Sequence, residues 1–277
     1  MGKSPYGSNI LITGATSGIG LATLNLFAER GWQVWGVSRK GKVEGALPSN
    51  VHLYPLDIRE EEAVASTIAK IEAEAIALTG EGIGVVLHCA GFGIGGAAED
   101  TPLEAVYAQF ETNYFGLLRV NRHLLPLMRQ RKASLVITLG SVGGKIALPF
   151  QSHYSSTKFA ISAYSDALRM EGEPFGLRAT VVEAGDTKTP FTAQRQVAIP
   201  EGSPYQEQGQ RAIEQMGKDE QGGYSPTKVA KTIWRLAQRS NPPPSVAVGL
   251  SYKAILFLKR LLPNRLVLFL VRKLYLT

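Results

Sequence analysis

The sequence predicts a single α/β domain, a doubly wound parallel sheet with helices on both faces. Three observations predict it. Short apolar runs alternate with longer helical patterns through most of the chain, which implies parallel pairing through right-handed crossovers. The first apolar run enters a glycine-rich turn that opens an amphipathic helix. The length of 277 residues, 44% of them hydrophobic, suits one large domain with a sizeable core.

The elements follow in order. Asn9–Thr13 is a short apolar strand, and Ile19–Arg30 an amphipathic helix stopped by Gly31 in a left-handed cap. Trp32–Val37 and Val51–Leu56 read as strands two and three, and Arg59–Leu78 as an Ala- and Glu-rich helix. Gly84–His88 is the fourth strand, followed by a glycine-rich loop to Gly96. Leu103–Arg131 reads as one long helix with Pro126 near its end, and Leu135–Leu139 as strand five. Ser152–Pro174 is a helix, Arg178–Glu183 strand six, Val229–Arg239 a helix and Ser245–Val248 a last short strand. Residues 186–225 break this rhythm with Gln, Gly, Pro and Ser, and are expected to form an irregular lid at the carboxyl edge of the sheet. The domain is therefore assigned to residues 8–250, with 251–277 as a separate basic, amphipathic segment.

Composition removes several functional classes. One cysteine, Cys89, excludes a disulfide framework and favours a reducing, cytoplasmic compartment. No metal site is expected. The net charge of +7 is concentrated: residues 251–277 hold Lys253, Lys259, Arg260, Arg265, Arg272 and Lys273 and no acid. A nucleic-acid footprint spread over the fold is therefore not expected.

The turn Thr13-Gly14-Ala15-Thr16-Ser17-Gly18-Ile19-Gly20 places three glycines between a strand and a helix. Such a turn lets a pyrophosphate approach main-chain amides at a helix N-terminus, and the expected ligand is a dinucleotide. Strand two ends in Ser38-Arg39-Lys40, with no carboxylate to grip a ribose 2′-hydroxyl. A 2′-phosphate suits that end better, with Arg39 stacking on adenine and pairing with the phosphate, so the expected cofactor is NADP(H). Asp57, followed by Ile58, has two readings: an acceptor for the adenine amino group, or the N-cap of the next helix.

Tyr154 and Lys158 lie at i and i+4 on a helix, so a phenol and an ammonium share one face. A nearby cation lowers a phenol's pKa and tunes it toward general acid/base work. Ser141 follows strand five, and Gly185, Thr187 and Thr189 follow strand six at the same edge, while Asn113 lies within the long helix.

Taken together, Thr13-Gly14-x3-Gly18-x-Gly20, Asp57, Cys89-Ala90-Gly91, Asn113, Ser141, Tyr154, Lys158 and Gly185 resemble the short-chain dehydrogenase/reductase family over residues 8–250. The resemblance implies a Rossmann fold, a bound nicotinamide dinucleotide and a dimer or tetramer. It implies that Tyr154 transfers the proton, that Lys158 holds the nicotinamide ribose and tunes Tyr154, that Ser141 binds the substrate oxygen, and that Asn113 binds a water leading protons outward. Two positions depart from the family: His88-Cys89 stands where it usually has Asn-Asn, and Ala184-Gly185 where it has Pro-Gly. A thiol cannot reproduce an amide's hydrogen bonds, which puts local bracing of the sheet in question. Cys89 reads as a small buried filler, and His153 as structural or pocket-lining.

The expected substrate is a hydrophobic carbonyl or alcohol of steroid, retinoid or lipid-ketone type. A catalytically silent dinucleotide-binding regulator and an epimerase using the same tyrosine and lysine are the rivals. Neither apolar run in 251–277 approaches the roughly 20 residues needed to span a bilayer. Arg265 and Arg272 share one helix face, and Leu266, Leu268, Phe269, Leu270 and Leu274 occupy the other. Two readings of that segment stand: peripheral association with a membrane, or packing over the substrate pocket or a second subunit.

Overall fold

In a computed structural model that describes residues 4–276, seven parallel strands form one sheet in the order β3-β2-β1-β4-β6-β7-β9. The first half of the chain supplies β1 (Asn9–Thr13), α1 (Gly18–Glu29), β2 (Gln33–Ser38), β3 (Val51–Pro55), α2 (Glu61–Thr79) and β4 (Val85–His88). Next come β5 (Ile94–Gly96), α3 (Leu103–Phe110), α4 (Gly116–Gln130) and β6 (Ser134–Leu139). The remainder is α5 (Ser152–Gly172), β7 (Leu177–Glu183), α6 (Phe191–Gln194), β8 (Gln196–Ala198), α7 (Gln206–Gly222), α8 (Pro226–Ala237), β9 (Ser245–Ala247), α9 (Leu250–Leu261) and α10 (Asn264–Leu276).

The strands are apolar on both faces, as sheets covered on two sides require. Ile10 and Ile12 of β1, Val85 and Leu87 of β4, and Leu135 and Ile137 of β6 point into one core beneath α1 and α8. Leu11, Val86 and Val136 point into the other, beneath α2, α4 and α5. In the first core Phe27 meets Trp32 and Trp234 edge-on, with centroids 4.9 and 5.0 Å away. Gly31 takes φ 78, the left-handed stop the sequence predicts for α1.

Three expectations are corrected. The stretch expected as one helix from Leu103 to Arg131 is interrupted by a π-helical turn, Glu111–Phe115, in which Gly116 N donates to Glu111 O. A single inserted residue produces such a turn and leaves no mark on apolar periodicity. The loop to Gly96 contains β5, which pairs in parallel with β8. Residues 186–225 are not irregular, because they hold α6, β8 and the 17-residue α7. The tail forms two helices, and no helix among the described residues is long and apolar enough to cross a membrane.

Because Phe27 is fully buried between two indoles, Phe27→Ala should cost about 3–5 kcal/mol in unfolding free energy. The shift in urea midpoint measures this, and an unchanged midpoint would contradict the packing.

Candidate active site

All strands of the main sheet are parallel, so Thr13, Ser38, Cys89, Ser141 and Gly185 gather at its carboxyl edge. The order reverses between β1 and β4, and that switch point opens the crevice where such sheets bind ligands.

The turn after β1 is pressed against the end of β4. Gly14 has φ 68, and a Cβ there would lie 2.8 Å from Ala90 N. A Cβ at Gly20 would strike the Gly14 carbonyl oxygen. Larger residues would push the turn and the helix apart. Thr13, the first residue of the turn, braces this contact: its hydroxyl accepts from Cys89 N at 3.1 Å and Ala90 N at 3.3 Å. Ser17 caps α1 with no side-chain bond to the first-turn amides, and Gly18 and Ile19 begin the helix beside it. The bracing that Cys89 put in question survives by other means. Burial pushes the thiol's pKa up to about 12, so it is an inert filler. His88 Nε2 bonds Asn121 Oδ1 at 2.8 Å, and Asn121 Nδ2 donates to Tyr164 at 3.1 Å.

At the end of β2, Thr16 Oγ1 donates to Ser38 Oγ at 3.0 Å, and Arg39 and Lys40 are exposed. Asp57 does not cap α2, whose N-cap is Glu60. Its carboxylate is held by Arg59, with Nη2 at 2.6 Å, and that hydrogen bond keeps its pKa below the usual value; Arg39 adds to the effect. Ile58 is buried and packs against Gly116 at the start of α4.

The π turn aims the Asn113 side chain inward. Its Oδ1 accepts from Phe92 N at 3.0 Å, and its Nδ2 donates to Phe92 O at 3.0 Å and to Thr157 Oγ1 at 3.2 Å. The amide ties the β4 loop to α5, and a Cβ at Gly91 would press on its oxygen at 3.0 Å.

Lys158 and Tyr154 both lie buried on α5. Lys158 Nζ donates to Leu139 O at 2.8 Å, and burial lowers its pKa to about 8. Its Nζ stands 5.7 Å from the Tyr154 ring centroid. Burial pushes the phenol up to about 12, opposed by the nearby Ser141 hydroxyl. The phenol is thus protonated at neutral pH, and desolvation outweighs the lowering expected from Lys158. The turn after β6 carries Ser141: its amide donates to Glu183 Oε2 at 3.1 Å, and its Oγ accepts from Gly143 N at 3.0 Å. Glu183, wholly buried at the end of β7, also pairs with Lys145 at 3.4 Å. His153, beside Tyr154, keeps a buried Nε2 without a hydrogen-bond partner.

Phe191, Thr192, Arg195, Glu220 and Tyr252, which the sequence did not single out, close over this centre together with Gly185, Thr187 and Thr189, which it did. The Phe191 ring lies 5.7 Å from that of Tyr154. Arg195, with a side chain 2% exposed, pairs with Glu220, whose other oxygen accepts from Thr192 Oγ1 at 2.6 Å. Both charges act on the Tyr154 phenol. Thr187 donates to Gly185 O at 2.9 Å, and Thr189 reaches the start of α1, where a Cβ on Gly18 would meet it at 3.3 Å. Tyr252 of α9 covers Gly185, and its hydroxyl is bonded to the Asp186 carboxylate and amide. Among the described residues no group of His, Cys, Asp and Glu could hold a metal ion.

The model of the short chain dehydrogenase family matches residues 8–199, and the chain belongs to that family. It is 34% identical over 242 residues to a 3-ketodihydrosphingosine reductase of Bacteroides thetaiotaomicron, covering 87% of each chain. It is 35% identical over 191 residues to a serine 3-dehydrogenase of Rhizobium radiobacter, covering 67% of this chain and 74% of that one. A short-chain dehydrogenase of Streptomyces avermitilis superposes with TM-score 0.77 at 28% identity, covering 90% of this chain and 91% of the other. One from Burkholderia cenocepacia, solved in complex with NADP, shares the fold at TM-score 0.74 and 22% identity over 99% of both chains.

The His88 contact carries a pH prediction. Burial lowers its pKa from 6.5 to about 4, so the unfolded chain binds the proton first as pH falls. Stability from this residue is complete above pH 6.5 and is lost as pH drops toward 4, by on the order of 3 kcal/mol. Denaturant titrations between these pH values should show a steeper loss for the native chain than for His88→Asn, and equal slopes would refute the assignment.

Proposed function

We propose that the chain is an NADP(H)-dependent oxidoreductase that reduces the ketone of a lipid-like substrate. The observation that carries this reading is that the Ser141 hydroxyl and the buried Tyr154 ring border the same point above Gly143 at the carboxyl edge of the sheet, with Lys158 one helical turn away. A carbonyl oxygen placed between the two hydroxyls would accept from both. Ser141 would stabilise negative charge as it develops on that oxygen, and Tyr154 would donate the proton that completes the alcohol. A phenol that holds its proton at neutral pH is in the form that reduction needs. Lys158, with its pKa near 8, can return a proton to Tyr154 in the physiological range. Asn113 would act by holding α5 and the β4 loop in register.

The residues present fit the dinucleotide. Gly14 and Gly20 let the turn close tightly against Ala90 and against itself, and the bare backbone at the start of α1, with Thr16, Ser17, Gly18 and Ile19, would take the pyrophosphate. Ser38 and Arg39 would meet the 2′-phosphate, Asp57 and Ile58 the adenine edge, and Cys89, Ala90 and Gly91 the floor. Lys158 would bind the nicotinamide ribose, and Gly185, Thr187 and Thr189 the nicotinamide end. The bound cofactor supplies the hydride to the carbonyl carbon.

The walls near Tyr154 favour an apolar substrate. The Phe191 ring lies tilted beside the phenol, Leu148 approaches Gly143, and Ile213 lies against Gly95. The Arg195–Glu220 pair adds a polar contact beside the reacting carbon. This combination fits a lipid ketone with a polar end, of the kind named for the Bacteroides thetaiotaomicron relative.

NADPH oxidation followed with 3-ketodihydrosphingosine and a panel of other ketones tests the proposal. Turnover is expected with NADPH in preference to NADH, with Tyr154→Phe losing about 10²–10⁴-fold in kcat while binding NADPH normally. A fully active Tyr154→Phe would overturn the assigned acid. Equal use of NADH would overturn the reading of Arg39. Binding of NADPH without turnover of any ketone would favour a silent regulator.

A further inference from the structure

We propose that α9 and α10 form a docking surface for an anionic lipid bilayer. An amphipathic helix of a soluble domain normally turns its apolar stripe to the core. Here the stripes face the other way. On α9 the residues packed inward are Tyr252 and Leu256, while Leu250, Phe257 and Leu261 recur on the opposite side, with Leu250 82% and Leu261 65% exposed. On α10 Val267, Val271 and Tyr275 face the protein at i, i+4 and i+8. Leu266, Leu270 and Leu274 repeat the same spacing as an exposed row.

Charge decides what covers these rows. Residues 251–277 carry six cations and no acid. In a symmetric contact between two copies, the cations of one segment would confront those of the other with no acid in the segment to pair them. An anionic bilayer satisfies both features, since acyl chains take the leucine and phenylalanine side chains and headgroups take the lysines and arginines. The helices are short of a membrane span, so the contact is interfacial.

The surface is also fixed to the site. Tyr252 anchors α9 on Gly185 and Asp186, and Tyr275 of α10 lies near Asp186, Asp219 and Glu220 at the end of α7. Docking would place the mouth of the pocket beside the bilayer, where a lipid substrate is dissolved. The docking claim itself does not depend on that substrate.

Flotation of the full chain with vesicles of phosphatidylcholine, with and without phosphatidylglycerol, tests it. Binding to the anionic vesicles should exceed that to neutral ones by ~10-fold or more and fall as salt is raised. The double variant Phe257→Glu, Leu261→Glu should lose binding while its melting temperature and NADPH affinity are unchanged. Failure of the native chain to float with anionic vesicles would overturn the proposal, as would undiminished flotation of the variant. So would a native dimer, detected by light scattering, that the variant converts to monomer without any vesicle binding by either.

Discussion

The site depends on how α5 is seated against the turn that follows β6. Lys158 is held by its bond to the Leu139 carbonyl, and its backbone lies against Gly144, where a Cβ would stand 2.9 Å from the Lys158 oxygen and 3.0 Å from its carbonyl carbon. That contact sets the height of Tyr154 above the sheet and brings its hydroxyl to Ser141. Asn113 fixes the same helix from the other side through Thr157, and Glu183 holds the Ser141 amide from below. A proton donor one ångström out of place loses most of its effect. The surrounding polar network is therefore best understood as a positioning frame for one phenol.

Much of this frame is built from groups that act at short range in sequence, and those parts were legible. The glycine turn after β1, the i, i+4 pair on α5 and the strand ends are local patterns, and each lies where periodicity and turn chemistry put it. The parts that were not legible depend on distant pairings or on a single inserted residue. The π turn that aims Asn113 inward leaves the apolar pattern of Leu103–Gln130 continuous. The β5–β8 pair joins segments about a hundred residues apart, and neither Ile94-Gly95-Gly96 nor Gln196-Val197-Ala198 reads as a strand alone. The lid hides a helix because α7 is mostly polar and buries only Gly209, Ala212 and Met216.

The departures from the family pattern show how one position is rebuilt. Where an amide would brace the sheet, Thr13 takes two main-chain donors and His88 reaches Asn121. The load is spread over groups that the sequence gives no reason to connect. The lid makes a parallel case, for its Arg195–Glu220 pair is buried beside Phe191 and turned toward the phenol. A buried pair of this kind is weak as a source of stability and is better placed to discriminate among substrates.

The claim that the seat of α5 governs the proton donor is tested most directly by the turnover of Gly144→Ala with NADPH and a reducible ketone. The added methyl must move Lys158 and with it Tyr154. Turnover is expected to fall by about 10²-fold, with cooperative unfolding retained. Native turnover in a folded Gly144→Ala chain would contradict the account.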